Sequence, residues 1–151
     1  MSAITLKQIE EKQAEIGELI ALFKAQKPLK LHFPESKIDL DFGEHYAGII
    51  LGKDGEASHH LILLADQAEG LTRDKAKEWA VKAGGVLPTR REQALLYANL
   101  KEQFQNAWYW SSEQYASNSD CAWCQYFGDG GQDSNGKSAE LRARAVRRLK
   151  I

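Results

Sequence analysis

"LPTRREQALLYANL", residues Leu87 to Leu100, is the stretch on which the reading of the fold turns. Thr89 followed three residues later by Glu92 is a capping box, in which a hydroxyl and a carboxylate each satisfy an orphan amide of a helix's first turn. Ala94, Leu95 and Ala98, with Phe104 beyond them, continue an apolar face, so the spacing predicts a helix here. Just upstream, "TRDKAKEWAVKA" from Thr72 to Ala83 places Ala76, Trp79, Ala80 and Ala83 on one helical face. Gly84-Gly85 supplies the stop. Downstream the texture changes. "AWYWSSEQYASNSDCAWCQYF", Ala107 to Phe127, mixes aromatics and small polar residues with no helical period. It is followed by "GDGGQDSNGK" and "LRARAVRRL", which read as strands joined by a Gly- and Asp-rich loop. Helices followed by strands predict an α+β class.

Further out, "LKLHF" (29–33), "KIDLDF" (37–42), "YAGIIL" (46–51) and "HHLILL" (59–64) are short alternating or β-branched runs. They are separated by "PES", "GEH" and "GKDGEAS", which carry turn residues. "GKDG" is expected to turn a hairpin, and Ile49–Leu51 and Leu61–Leu64 are expected to be buried on both faces. At the start, Thr5 with Gln8 forms another capping box ahead of Leu6, Ile9, Gln13, Ile16, Ile20 and Phe23, a short heptad seam ending before Pro28. The expected organisation is an N-terminal amphipathic or coiled-coil helix over 1–27 and a domain over 28–151. The helix either lies on its own domain or self-associates, and a buried Gln13 would set register in an oligomer.

The 151 residues, 43% hydrophobic and 27% charged, have the composition of an ordinary globular domain, which argues against disorder and a membrane span. A net charge of -1 gives no global attraction for nucleic acid, which is not an expected partner. Charged residues interrupt every apolar stretch from Ile4 to Phe23, so no signal peptide is read and cytoplasmic synthesis and residence are expected. Cys121 and Cys124 make neither a disulfide framework nor a zinc site. On a strand they face opposite sides, and free buried thiols are expected. His59 and His60 likewise diverge and cannot chelate one metal. His32 and His45 read as ordinary histidines. Ser111 and Ser112 have no base at a useful spacing. The chain is thus expected to be no enzyme and to carry no cofactor.

Taken in order, "GGVLPTRREQALL", "YWSSEQYASNSDCAWCQYFGDGG" and "RARAVRR" resemble the Lcl C-terminal domain family, a former domain of unknown function in phage, prophage and bacterial surface proteins. The resemblance covers Gly84 to Leu149, and the closing "LRARAVRR" departs from the family's "VR-small-VR". "GEHYAGIILGKDGEASHHLILL" also looks like the upstream strands of phage-encoded relatives. The resemblance implies a C-type-lectin-like fold, with two helices flanking a small, mostly antiparallel sheet and an irregular segment that displays side chains. Its best understood branch is an adhesin domain for sulfated polysaccharides, but fold alone does not transfer that role.

Tyr115, Asn118, Ser119, Asp120, Trp123, Gln125, Tyr126, Asp129, Asp133 and Asn135 concentrate in one stretch whose composition is that of recognition loops. Composition alone reads equally as a polar, turn-rich surface; the resemblance implies recognition. The expected ligand surface comprises Tyr115 to Gln125 with the 129–137 loop, and includes Arg142 and Arg144. Asp129, Asp133 and Asn135 offer oxygen ligands, but neither an EF-hand ladder nor the Glu-Pro-Asn and Trp-Asn-Asp signatures of calcium lectins is present, so no metal is assigned. Arg142, Arg144, Arg147, Arg148 and Lys150, with Arg90 and Arg91, make a basic set that suits nucleic acid, a sulfated glycan or an acidic protein. Equally it is a solvated face, with the last-strand arginines pairing with Asp129, Asp133 or Glu113. Trp79, Leu95 and Trp110 are the expected scaffold, with Trp108 and Trp110 on one strand face and Tyr109 on the other. The expected function is that of a non-enzymatic phage or prophage binding module, homo-oligomeric through its N-terminal helix. Its partner would be a protein or glycan, in a receptor-binding or accessory virion role. The alternative is an intracellular counter-defence protein that inhibits a host defence protein or sequesters a small signalling ligand. A pocket lined by basic side chains favours the ligand version. An oxidase of the formylglycine-generating kind would need a paired-cysteine copper site, which opposed Cys121 and Cys124 do not offer.

Overall fold

The Thr5 capping box forms as its spacing predicts. The Thr5 hydroxyl accepts from the Gln8 amide, the Gln8 side chain accepts from the Thr5 amide, and helix α1 runs Leu6–Ala25. The computed structural model describes residues 3–28, 32 and 34–151, in two compact units, Met1–Glu35 and Ser36–Ile151. Within the first unit α1 buries none of its residues, and Leu6, Ile9, Ile16, Leu19, Ile20, Leu22 and Phe23 are all exposed. Among the described residues, no helix is long and apolar enough to cross a membrane.

The second unit is α+β. Strands β1 (His45–Ile50), β2 (His59–Leu71), β3 (Trp108–Gln114), β4 (Cys121–Tyr126), β5 (Gln132–Gly136) and β6 (Leu141–Lys150) form one six-stranded sheet in the order β1-β2-β6-β3-β4-β5. Every neighbouring pair is antiparallel except β3 with β6, which run parallel where Tyr109 meets Arg142. β6 therefore joins two antiparallel ladders. The β1–β2 connection turns at "GKDG" as predicted: Asp54 and Gly55 both take positive φ, and the Glu56 amide returns to the Lys53 carbonyl. Positive φ at both central residues matches the right-handed twist of a hairpin.

Helices α2 (Arg73–Lys82) and α3 (Arg90–Leu100) occupy opposite faces. Alternation along the strands sorts the core between them. Leu64, Trp110, Ala122, Cys124, Ala143 and Ala145 meet Ala76 and Ala80 of α2. Leu61, Leu63, Tyr109, Phe127 and Val146 meet Leu96 and Leu100 of α3. Small residues on both sides of the α2 contact let the helix approach the sheet closely. The stop of α2 is a Schellman turn: the Gly85 amide reaches the Ala80 carbonyl, the Gly84 amide reaches Val81, and Gly84 sits at φ +92. Val86 then bridges Val146 of β6. A Cβ at Gly85 would stand 2.4 Å from the Val146 carbonyl oxygen, so no larger residue fits there. Trp110 is fully buried with its indole N–H on the Leu71 carbonyl. Tyr109 stacks edge-on against Phe104 and Phe127 from the other side.

The structure corrects three expectations, and a fourth lies outside the described residues. Lys37–Phe42 is irregular, not a strand: Asp41 to Glu44 form a turn, and the Asp39 carbonyl is taken by the Arg147 guanidinium instead of a neighbouring strand. The strand expected over 29–33 falls mainly on residues 29–31 and 33, which lie outside the described ones. Leu61–Leu64 are buried as expected, but Leu51 is exposed, since it lies beyond the end of β1. The inward face of α3 carries Glu92, Gln93, Leu96 and Leu100, while Ala94 and Ala98 are exposed. The Gln93 side-chain amide explains the difference. It donates to the Tyr109 and Trp110 carbonyls, so a polar residue occupies a core position without an unmet donor.

Candidate functional site

The start of α3 is the structural centre of the site. Thr89 and Glu92 form the predicted capping box, and the Glu92 carboxylate does more than cap. With only 1% of its side chain exposed, it receives Arg148 Nε and Nη2, both at 2.7 Å, His59 Nε2 at 3.0 Å and the Thr89 amide at 2.9 Å. Burial alone would raise its pKa; the hydrogen bonds from Arg148 and the Thr89 amide outweigh burial and hold the carboxyl at about 2. Glu92 thereby ties α3 to β2 through His59 and to β6 through Arg148.

The next residue group out is Arg90. Its amide donates to Glu113 Oε2, its Nε donates to Gln132 Oε1, and its guanidinium lies 3.5 Å from the centroid of the Trp123 ring. Tyr115 meets the same indole edge-on, with centroids 5.2 Å apart. The result is a layered surface of Tyr115, Trp123 and Arg90. Beneath it, Gln125 donates to the Gln93 carbonyl, and Gln132 donates to Gln125 Oε1 and to the Arg90 carbonyl. This amide chain holds α3 to β4 and β5. A guanidinium held over an indole, with Nε already engaged by Gln132, has little freedom left to lose when a ligand arrives.

Beside this surface opens a cleft of about 1290 Å³. Its lining comes from the β1–β2 hairpin (Ile50, Gly55, Glu56, Ala57), the first turn of α3, the end of β6 (Arg148, Lys150), His59, Glu113, Gly130 and Gln132. Arg91 reaches across to the Leu51 carbonyl at 2.9 Å.

Of the residues singled out from sequence, Tyr115 and Trp123 come together, and Arg90, stacked over Trp123, is the one of the three that also lines the cleft. Asn118, Ser119 and Asp120 form an exposed turn between β3 and β4, with Asn118 Oδ1 accepting from the Asp120 amide. Gln125 and Arg144 are not on a display surface. Gln125 is fully buried in the amide chain, and Arg144, 5% exposed, donates to the Gln103 and Leu64 carbonyls over the Phe104 ring. Asp133 and Asn135 pair in register with Cys124 and Ala122, on the sheet face opposite Trp123. Their carboxylate or amide oxygens, like that of Asp129, accept from nearby backbone amides. Among the described residues no group of three or more His, Cys, Asp or Glu could hold a metal ion. Tyr126 lies half-buried against Trp108. The last-strand arginines do not pair with Asp129, Asp133 or Glu113: Arg142 meets Glu69, Arg147 meets Glu44 and Arg148 meets Glu92. Those acids come from three different places: Glu69 from β2, Glu44 from the turn before β1 and Glu92 from the first turn of α3. Sequence reasoning named Arg90, Arg91, Arg148 and Lys150 only as a generic basic set and Glu92 only as a cap. It read His59 as an ordinary histidine. Their convergence depends on pairing across the sheet.

Cys121 and Cys124 are both free. Burial, with the charge of Asp133 nearby, pushes the Cys124 thiol up to about 12. Cys124 is therefore expected to resist iodoacetamide at pH 7 while the chain is folded and to label in denaturant. Mass spectrometry of the alkylated peptides checks this. No protein-family model matches the chain, and no curated protein matches it.

Proposed function

We propose that the chain is a non-enzymatic binding module of phage or prophage origin. It would display the Tyr115–Trp123–Arg90 surface to a protein or glycan ligand and raise its avidity by self-association of α1. The observation that carries the reading is the layered surface itself: a half-buried indole with one face under a fixed guanidinium and its edge against a tyrosine. Rigid aromatic and Arg side chains supply contact area with little entropy left to lose, and they dominate binding hot spots. The resemblance of Gly84 to Leu149 to the Lcl C-terminal domain family supports the same reading.

Trp123→Ala removes the platform under Arg90 and is expected to weaken binding by about 10- to 100-fold. The test is titration of the labelled full chain against a panel of intact bacterial cells and, in parallel, against cytosolic extracts. Saturable cell-surface binding that Trp123→Ala loses supports display. Saturable binding confined to cytosolic components would move the role to the intracellular counter-defence alternative. The cleft beside the surface, with Arg90, Arg91, Arg148 and Lys150 in its lining, is the observation that favours the small-ligand form of that alternative.

A further inference from the structure

The cleft beside α3 has a chemistry of its own. Four permanent cations line it, Arg90, Arg91, Arg148 and Lys150, against three carboxylates, Glu56, Glu92 and Glu113, in a chain whose net charge is -1. The carboxylates are unevenly available. Glu92 is sealed at the floor by Arg148 and His59, and Glu113 accepts the Arg90 amide.

The cations are committed differently. Arg90 uses Nε on Gln132, and Arg91 uses one Nη on a carbonyl. Among the described residues both Nη groups of Arg90, the second Nη of Arg91 and the Lys150 ammonium have no hydrogen-bond partner. Arg90 and Arg91 come from the first turn of α3. Lys150 comes from the end of β6, where it pairs in register with His59. Separate elements thus aim unpaired cationic donors at one space.

We propose that this cleft binds the phosphate ester of an organic ligand, with Arg90 and Arg91 as forked donors and Lys150 as a point charge. Three observations select this class. Guanidinium forks match phosphate oxygens in pairs. The available donors exceed what one carboxylate accepts, whereas a phosphate monoester offers three acceptor oxygens and close to two negative charges. The volume of about 1290 Å³, with Ile50, Ala57 and Ala94 on its wall, greatly exceeds inorganic phosphate and leaves room for a sugar- or nucleoside-sized body. Glu92 acts as a positioning residue: by holding Arg148 it neutralises the floor and leaves the excess charge to Arg90, Arg91 and Lys150. The proposal rests on the chain being a binding module and names the ligand chemistry that its cleft takes.

The test is calorimetric titration of the full chain with ADP, glucose 1-phosphate and inorganic phosphate, with adenosine and glucose as unphosphorylated controls, at low and at physiological salt. The phosphate esters are expected to bind more tightly than inorganic phosphate, the controls are expected not to bind, and added salt should weaken binding. Tighter binding of ADP assigns a nucleotide; tighter binding of glucose 1-phosphate assigns a sugar phosphate. The paired change Arg91→Ala with Lys150→Ala touches only exposed side chains and is expected to weaken binding by about 10-fold or more. Arg90→Lys keeps the charge, loses the fork and should weaken binding even in a chain with unchanged circular dichroism. Absence of heat with every ester at ~1 mM, or affinity unchanged in the Arg91–Lys150 pair, overturns the assignment. If Trp123→Ala still abolishes cell-surface binding, that failure falls on the cleft alone and the display reading stands.

Discussion

Replacing Glu92 by glutamine is expected to lower the unfolding free energy of the Ser36–Ile151 unit by about 3 kcal/mol at pH 7, because a hydrogen-bonded buried ion pair loses one partner. For a unit of this size that is a fall of about 10 °C in Tm. Glutamine keeps the shape of the carboxylate but not its charge. It cannot accept Arg148 Nε and Nη2 on equivalent oxygens while also receiving His59 and the Thr89 amide. The pH dependence separates this mechanism from a merely local cap. The Glu92 carboxyl is depressed from an ordinary 4.5 to about 2 in the folded chain. Unfolded chains therefore bind its proton first as pH falls. Its contribution is complete above pH 4.5 and is lost between 4.5 and about 2. Glu44, lowered chiefly by its hydrogen bond from Arg147, loses stability in the same direction. Urea unfolding followed at pH 7, 4.5 and 3 should show the wild type and Glu92→Gln converging as pH falls. A constant gap across that range would mean that the carboxylate's charge does not hold α3 to β2 and β6.

The parts of this fold legible in the sequence were those specified by neighbours along the chain. Both capping boxes, the "GKDG" hairpin and the Gly84-Gly85 stop rest on contacts between residues a few positions apart, and all four form. Trp110 as core and Tyr109 on the opposite face followed from alternation alone. The failures share a physical cause. Gln93 occupies a core position because two carbonyls of β3 meet its amide, and those carbonyls are 16 and 17 residues away. Without them, Ala94 and Ala98 made the better apolar face. Arg144 looked like a surface cation because its burial depends on Leu64, 80 residues distant. The candidate site was half legible for the same reason. Tyr115 and Trp123 are close in sequence, flanking one turn between β3 and β4, so a single aromatic and polar stretch held both, though its composition read equally as a polar surface. Arg90, His59, Glu92 and Arg148 meet only once β6 lies between β2 and β3, an arrangement that no local period encodes.

Removing α1 is expected to produce the largest change in apparent affinity. A chain starting at Ser36 should lose about 10²- to 10⁴-fold on a surface bearing many copies of the ligand, yet keep its affinity for a single soluble copy. A 20-residue helix with a complete N-terminal cap exposes Leu6, Ile9, Ile16, Leu19, Ile20, Leu22 and Phe23 and buries nothing. Most of a protein helix's stability comes from packing its apolar face, and an exposed apolar face of this width marks a surface that another one covers. The alternating three- and four-residue spacing of Leu6, Ile9, Gln13, Ile16, Ile20 and Phe23 is the pattern by which such faces cover one another in a coiled coil. A polar residue at one seam position aligns the copies. Light scattering should therefore give a mass at least twice 16.9 kDa for the full chain and a monomer for the chain starting at Ser36. Gln13→Leu should tighten or reregister the assembly without dissolving it, since it removes the polar position from the seam. A monomeric full chain would remove multivalency and leave a one-to-one module whose affinity rests on Tyr115, Trp123 and Arg90 alone.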